Sequence, residues 1–104
     1  MRLIFHRLAE RELTDAFWYY EDRSDGLGTR FLDQAQRSAR YLLRFPRSAP
    51  VARRIGDINV RKRVLDRFPY DLFYTFDEDL LSILAVAHQK RRPDYWIERA
   101  HELH

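Results

Sequence analysis

Apolar and polar positions along the chain change period twice, and those changes divide it into elements. "RLIF" at residues 2–5 is an apolar run of strand length. The spacing then turns helical, with Leu8, Leu13, Ala16, Phe17 and Tyr20 on one stripe. "SDGLG" interrupts with two glycines. Ser24 or Asp25 is expected to cap the next helix, because a short oxygen-bearing side chain accepts bonds from the free amides of a helix start. The second helix carries Leu27, Phe31, Ala35, Ala39 and Leu42, widened by Leu32 and Leu43, and stops at "FPRSAP", where proline cannot continue it. Two amphipathic helices with so short a joint predict a hairpin.

After Pro50 the pattern alternates. In "INVRKRVL", Ile58, Val60, Lys62 and Val64 point one way and Asn59, Arg61, Arg63 and Leu65 the other. "PYDLFYTF" puts Tyr70, Leu72, Tyr74 and Phe76 on one face. Strict alternation in "LLSILAVAH" groups Leu80, Ser82, Leu84, Val86 and His88 against Leu81, Ile83, Ala85 and Ala87. "DEDL" between these two runs reads as a hairpin turn. From Pro93 to about Leu103 a short helix is expected, since proline suits a first helical turn. The predicted fold is α+β in one domain over residues 1–104: an N-terminal strand, a helical hairpin, a mainly antiparallel three-strand meander and a short C-terminal helix. The helices should cover one sheet face and leave the other partly free for function.

Composition adds little to the fold and more to the setting. Hydrophobic residues make up 45% of 104, enough for one core. Cysteine is absent, so neither disulfides nor thiolate metal sites enter. "MRLIFHRLAE" lacks the apolar centre of a signal peptide and no run approaches membrane-spanning length, so a cytoplasmic protein with no membrane partner is expected. The net charge of +3 is modest, but residues 53–67, "RRIGDINVRKRVLDR", hold six basic side chains against two acids. Such a run is either a solvated strand face or a phosphate-binding surface.

Taken together, "GLGTRFLDQ" opening the second helix, "FPRS" closing it, "RKRVLDRFPYDLFY" over two strands and "ILAVAHQKRRPDYWIER" at the end resemble the RelE/ParE superfamily of bacterial type II toxins, often called plasmid stabilisation system proteins. The resemblance implies a small toxin that arrests growth once released from a cognate antitoxin, with a toxin–antitoxin hetero-oligomer as its resting form. It implies one of two activities: ParE-like poisoning of DNA gyrase without evident catalysis, or RelE-like cleavage of mRNA in the ribosome. RelE-like toxins tend to be lysine-rich and strongly basic, whereas this chain has only Lys62 and Lys90. "AVAHQ" followed by an arginine-rich segment also looks more like the ParE side, so gyrase inhibition is the expected mode and an mRNA interferase the alternative. An inactive binding module of the same fold is a further one.

A metal-independent endoribonuclease would need a base for the 2′-hydroxyl, cations for the phosphate and a proton source. His88, Arg61, Arg63, Arg91 and Tyr95 supply that inventory, if the chain is an enzyme at all. Arg61, Lys62, Arg63, Lys90, Arg91 and Arg92 are the candidate contacts to nucleic acid or target. Each has a structural reading too. His88 at a strand end can fix a turn, and Arg61 and Arg63 can pair with Asp57, Asp66 or Asp71 on a neighbouring strand. Tyr95 and Trp96 are expected to anchor the last helix, and if Trp96 packs inward, spacing turns Arg92 and Arg99 outward. Trp18 and Tyr19 fall off the apolar stripe of their helix and are the candidates for antitoxin binding. His101 and His104 lack a third ligand, and no metal or other cofactor is expected.

Overall fold

The computed structural model describes residues 1–102. Its elements run β1 (Arg2–Phe5), α1 (Arg7–Glu21), α2 (Leu27–Arg44), β2 (Val51–Ile55), β3 (Ile58–Val64), β4 (Tyr70–Phe76), β5 (Leu80–His88) and α3 (Ile97–Ala100). The five strands form one sheet in the order β1-β5-β4-β3-β2. β1 lies parallel to β5 and the other pairs are antiparallel. This is the α+β arrangement the patterning predicts, with one more strand.

The additional strand, "VARRI", lies at the sheet edge and is exposed almost throughout, so it carries no alternation by which to recognise it. Its signal was the Gly56–Asp57 turn joining it to β3, with Gly56 at φ 58°. Arg53 and Arg54 on this strand discourage pairing with another chain. The β4–β5 turn is where "DEDL" predicts it: the Asp77 carboxylate accepts the amides of Asp79 and Leu80 at 2.8 and 2.9 Å.

α1 and α2 pack on one face of the sheet around Leu13, Phe31, Ala35, Leu42, Leu72, Tyr74 and Ile83. The joint between them corrects the expected cap. Gly26, at φ 85°, holds the N-cap position of α2, and neither Ser24 nor Asp25 caps it. Glu21, the last residue of α1, reaches across instead: its carboxylate accepts the amides of Gly26 at 3.0 Å and Gly28 at 3.1 Å. A carboxylate at the end of α1 opposes that helix's own dipole but complements the start of α2, so its placement favours the hairpin over either helix alone.

The opposite face is less open than the meander suggested. Trp96, 1% exposed, packs there with Val60, Leu84, Ala85 and Ala87, its ring 4.7 Å from that of Phe73. The C-terminal segment is thus a roof over the second face, and its helix is a single turn, Ile97–Ala100, shorter than the Pro93–Leu103 reading. Residues 93–96 turn into it, with Asp94 in the left-handed region at φ 62°.

The face assignment of β5 also needs correction. The β4–β5 register runs Phe73 to Ala85 and then Tyr74 to Ile83, which leaves Leu84 as an extra residue. One extra residue flips every side chain beyond it to the other face. Leu81 and Ile83 therefore share the helix-side core with Val86, while Leu84, Ala85 and Ala87 meet Trp96.

Gly28 marks the tightest approach of the hairpin. A Cβ there would strike the Phe17 carbonyl oxygen and stand 2.9 Å from Glu21 Cβ. Both neighbours belong to the packed end of α1, so the helices would have to separate. Gly28→Ala is expected to lower stability by roughly 1–3 kcal/mol in urea unfolding, whereas alanine at the exposed helical Gln36 should raise it by at most a few tenths.

Candidate functional site

The predicted site residues fall into three groups. His88, Arg91 and Tyr95 gather near Glu12 of α1. Here a cleft of about 270 Å³ is lined by Glu12, Asp15, Ala16, Tyr19, Tyr70, Val86, His88 and Arg91. Arg61, Lys62 and Arg63 lie on β3, where Arg61 pairs across Tyr74 with Ile83. Ile83 is five residues from His88, about 16 Å along the strand, so Arg61 and His88 do not converge. Trp18 and Tyr19 form the third group, 56% and 51% exposed on α1, with Tyr19 also lining the cleft beside Glu12. Lys90 and Arg92 are exposed beyond the end of β5.

Glu12 organises the first group, and the sequence pattern alone does not single it out. Its Oε1 accepts the Val86 amide at 3.0 Å and Arg99 Nη1 at 2.9 Å. Its Oε2 accepts the Tyr95 hydroxyl at 2.7 Å, Arg99 Nη2 at 3.0 Å and Arg91 Nη1 at 3.2 Å. Arg99 also donates to the Leu84 carbonyl at 3.0 Å. The reason lies in the sheet. β1 ends at Phe5 opposite Ile83, so the edge of β5 beyond Ile83 has no strand beside it. Backbone groups left there need side-chain partners. Glu12 and Arg99 supply them, and the bulge residue Leu84 provides the carbonyl.

Arg99 is thereby the opposite of its expected outward placement, at 7% exposed. Helical spacing failed because the final helix is one turn long and its packing is decided by Glu12. Burial works against the Arg99 cation, but the Glu12 carboxylate outweighs it and holds the guanidinium charged. Tyr95 is wedged between two cations, with Arg91 3.8 Å and Arg99 5.1 Å from its ring centre. Burial first, and then its bond to Glu12, push the Tyr95 phenol well above the usual tyrosine range. His88 has its Nδ1 turned to the Lys90 amide at 3.0 Å, closing the turn after β5. The backbone closes it too, since the Arg91 amide donates to the His88 carbonyl at 2.9 Å.

The second group is not paired with acids. Arg61 Nη1 donates to the Ala49 carbonyl at 2.6 Å, and Arg63 stacks over Tyr41 of α2 at 4.7 Å. Tyr74 donates to the Pro46 carbonyl at 2.7 Å, so Tyr74 and Arg61 together hold the α2–β2 connection. Asp71, one of the expected partners, accepts from Gln89 Nε2 instead. His104 lies outside the described residues, so the His101–His104 pair is not described. No helix among the described residues is long and apolar enough to cross a membrane.

Against this geometry stand the comparisons. The family model for the ParE toxin of the type II toxin–antitoxin system parDE matches residues 3–93. The chain belongs to the ParE toxin family. The match ends at Pro93, so it takes in Glu12, His88 and Arg91 and leaves Tyr95 and Arg99 beyond it. Among solved structures, a chain of a chromosomal ParDE toxin–antitoxin system from P. aeruginosa shares the fold with a TM-score of 0.69 at 18% identity, over 85% of this chain and 95% of that one. No curated protein matches.

Two tests come from the burial of this ParE-family chain's polar groups. Glu12→Ala strands a buried guanidinium, an amide and a phenol together, and a loss of about 3–5 kcal/mol is expected in urea unfolding. Glu12→Leu with Arg99→Met should lose less than the two changes added, because no charge is left unpaired. The second test uses pH. Burial is the first cause of a raised phenol pKa at Tyr20, Tyr74 and Tyr95, and at Tyr70, where it is pushed up to about 12. The folded state then holds these protons more tightly than the unfolded chain. Their contribution is complete below the usual tyrosine value near 10 and is lost as pH rises from there through 12 and beyond. Absorbance should report fewer phenolates at pH 11 in the folded protein than in urea, and equal numbers would refute it.

Proposed function

We propose that this chain is the toxin of a type II toxin–antitoxin pair that acts in the cytoplasm by binding DNA gyrase, without chemistry of its own. The match of the ParE toxin family over residues 3–93 carries this reading. The site geometry supports the non-catalytic half. Of the would-be catalytic set, Tyr95 and Arg91 are bonded to Glu12, His88 Nδ1 closes a turn, and Arg61 lies far along the sheet. A ribonuclease needs a base and an acid free to face one phosphate, and here those groups are held by the fold. The surface left for the target is the exposed basic set, Lys90, Arg92 and the open side of Arg91, together with Lys62 and Arg63.

The antitoxin is read onto α1. Trp18 and Tyr19 are exposed aromatics of a kind that anchors protein partners. Arg23 stacks on the Tyr19 ring at 4.2 Å, which adds a cation at the rim.

Induction without the antitoxin should arrest growth, and purified protein with gyrase should convert supercoiled plasmid to linear cleavage products. Absence of linear DNA at stoichiometric excess would remove gyrase as the target. Ribosome-dependent transcript cuts that vanish in His88→Ala would establish the ribonuclease instead, and no arrest at all would leave an inactive module. Trp18→Ala should weaken the antitoxin complex by about tenfold or more with the fold intact.

A further inference from the structure

The end of α2 and the β3–β4 surface beside it carry a cluster of cations and rings, of which Arg44, Arg47, Tyr41 and Phe45 enter neither the toxin reading nor the network around Glu12. Arg63 lies over the Tyr41 ring, the Tyr41 and Phe45 rings are 5.0 Å apart, and the Arg44 guanidinium is 5.7 Å from the centre of Phe45. Arg47 comes next, 5.3 Å from the Phe76 ring, and Arg61 stands 5.9 Å from that same ring. Tyr41 and Phe45 are 45% and 47% exposed. Two clefts adjoin along this line and share Arg47, one of about 340 Å³ beside Tyr41 and Phe45 and one of about 380 Å³ beside Arg61 and Phe76.

None of these four arginines forms an ion pair among the described residues. Arg61 spends one nitrogen on backbone carbonyls, and Arg63 Nε meets no acceptor. Asp57 and Asp77 line the second cleft without pairing to either arginine there. Arg44 and Arg47 are exposed and form no ion pair among the described residues, so crowding the four cations costs repulsion that ring contacts offset only weakly.

We propose that this strip binds single-stranded nucleic acid, its guanidiniums meeting phosphates and its exposed rings stacking on bases. Three rings set among four guanidiniums offer stacking faces and phosphate partners side by side, the two kinds of contact a single strand uses together. Arg61 and Arg63, two residues apart on one strand face, stand about 7 Å apart, suited to neighbouring phosphates. An acidic protein segment would answer the cations too; the ring faces among them favour the strand, since every base carries a face to stack. Such binding is independent of gyrase, since it involves the purified chain and a strand alone.

Anisotropy of labelled oligothymidylate and oligouridylate with the full chain tests it. Binding should weaken with salt along a log–log slope of roughly −2 to −3, about −0.7 for each phosphate met. Arg44→Ala with Arg47→Ala, both exposed, should roughly halve that slope. Phe45→Ala should cost about fivefold or more in affinity with the slope unchanged. A preference for either oligonucleotide supports the strip and identifies its strand as DNA or RNA. No binding at low salt, an unchanged slope in the double variant, or equally tight binding of labelled polyglutamate of matched charge would overturn it, the last in favour of an acidic protein. None of these outcomes bears on the growth-arrest or gyrase assays.

Discussion

The contact between Glu12 and Arg99 ties three pieces of chain together at one point. α1 supplies the carboxylate, the C-terminal segment supplies the guanidinium, and the unpaired stretch of β5 supplies an amide and a carbonyl. With side-chain exposures of 13% and 9%, both charges have left water, at a cost that a lone ion pair does not reliably offset. Here the geometry is two-pronged and every nearby donor has an acceptor, the condition under which such a pair is tolerated. Its return is positional. Without it the roof of Trp96 rests on apolar contact, which is weakly directional, and on the more exposed Arg53–Asp94 and His6–Glu102 pairs, which fix its register less firmly.

How much of this was legible depends on the kind of signal each part leaves. The helical hairpin, the DEDL turn and the faces of β3 and β4 are set by local period and turn chemistry, and all can be read from the chain. β2 leaves no period because it is exposed at the edge, and only its Gly56–Asp57 turn could have announced it. The faces of β5 escape a strict alternation because a bulge has no local signature: "LLSILAVAH" looks continuous, and only the pairing with β4 shows that Leu84 is extra. Glu12 and Arg99 are 87 residues apart. Each looks like an ordinary charged helix position, and a buried pair of that separation is invisible until the topology is known. Glu12 lies three residues after the buried Ala9 and four before the buried Ala16, a spacing that sets it beside the packed face of α1.

The scarcity of lysine takes on a second meaning in the structure. In the sequence, two lysines among nineteen basic side chains bear on the target. In the fold, arginines do work that an ammonium cannot. Arg99 grips both oxygens of Glu12, Arg91 lies flat on Tyr95, Arg63 lies on Tyr41, and Arg61 donates along its plane to the connection after α2. Planar, weakly hydrated guanidinium stacks and forks where a compact ammonium would hold its water. Composition therefore reflects the architecture at least as much as the partner.

That dual use bears on how binding and catalysis divide in this fold. A side chain that closes a turn or fills a buried network is fixed in place, and a fixed group can orient a partner but cannot readily change protonation without loosening what it holds. Tyr95 is in that position through its bond to Glu12, while Arg91 is held by the same carboxylate and His88 Nδ1 is turned to the Lys90 amide. The side chains free of such duties, Lys90, Arg92, Arg44, Arg47, Trp18 and Tyr19, are cations and exposed aromatics, with no acid–base pair among them. Exposed guanidiniums and aromatic rings are suited to recognising surfaces. The division of labour in this molecule thus gives Glu12, Tyr95, Arg91 and Arg99 to holding the roof and leaves exposed cations and aromatics for contact.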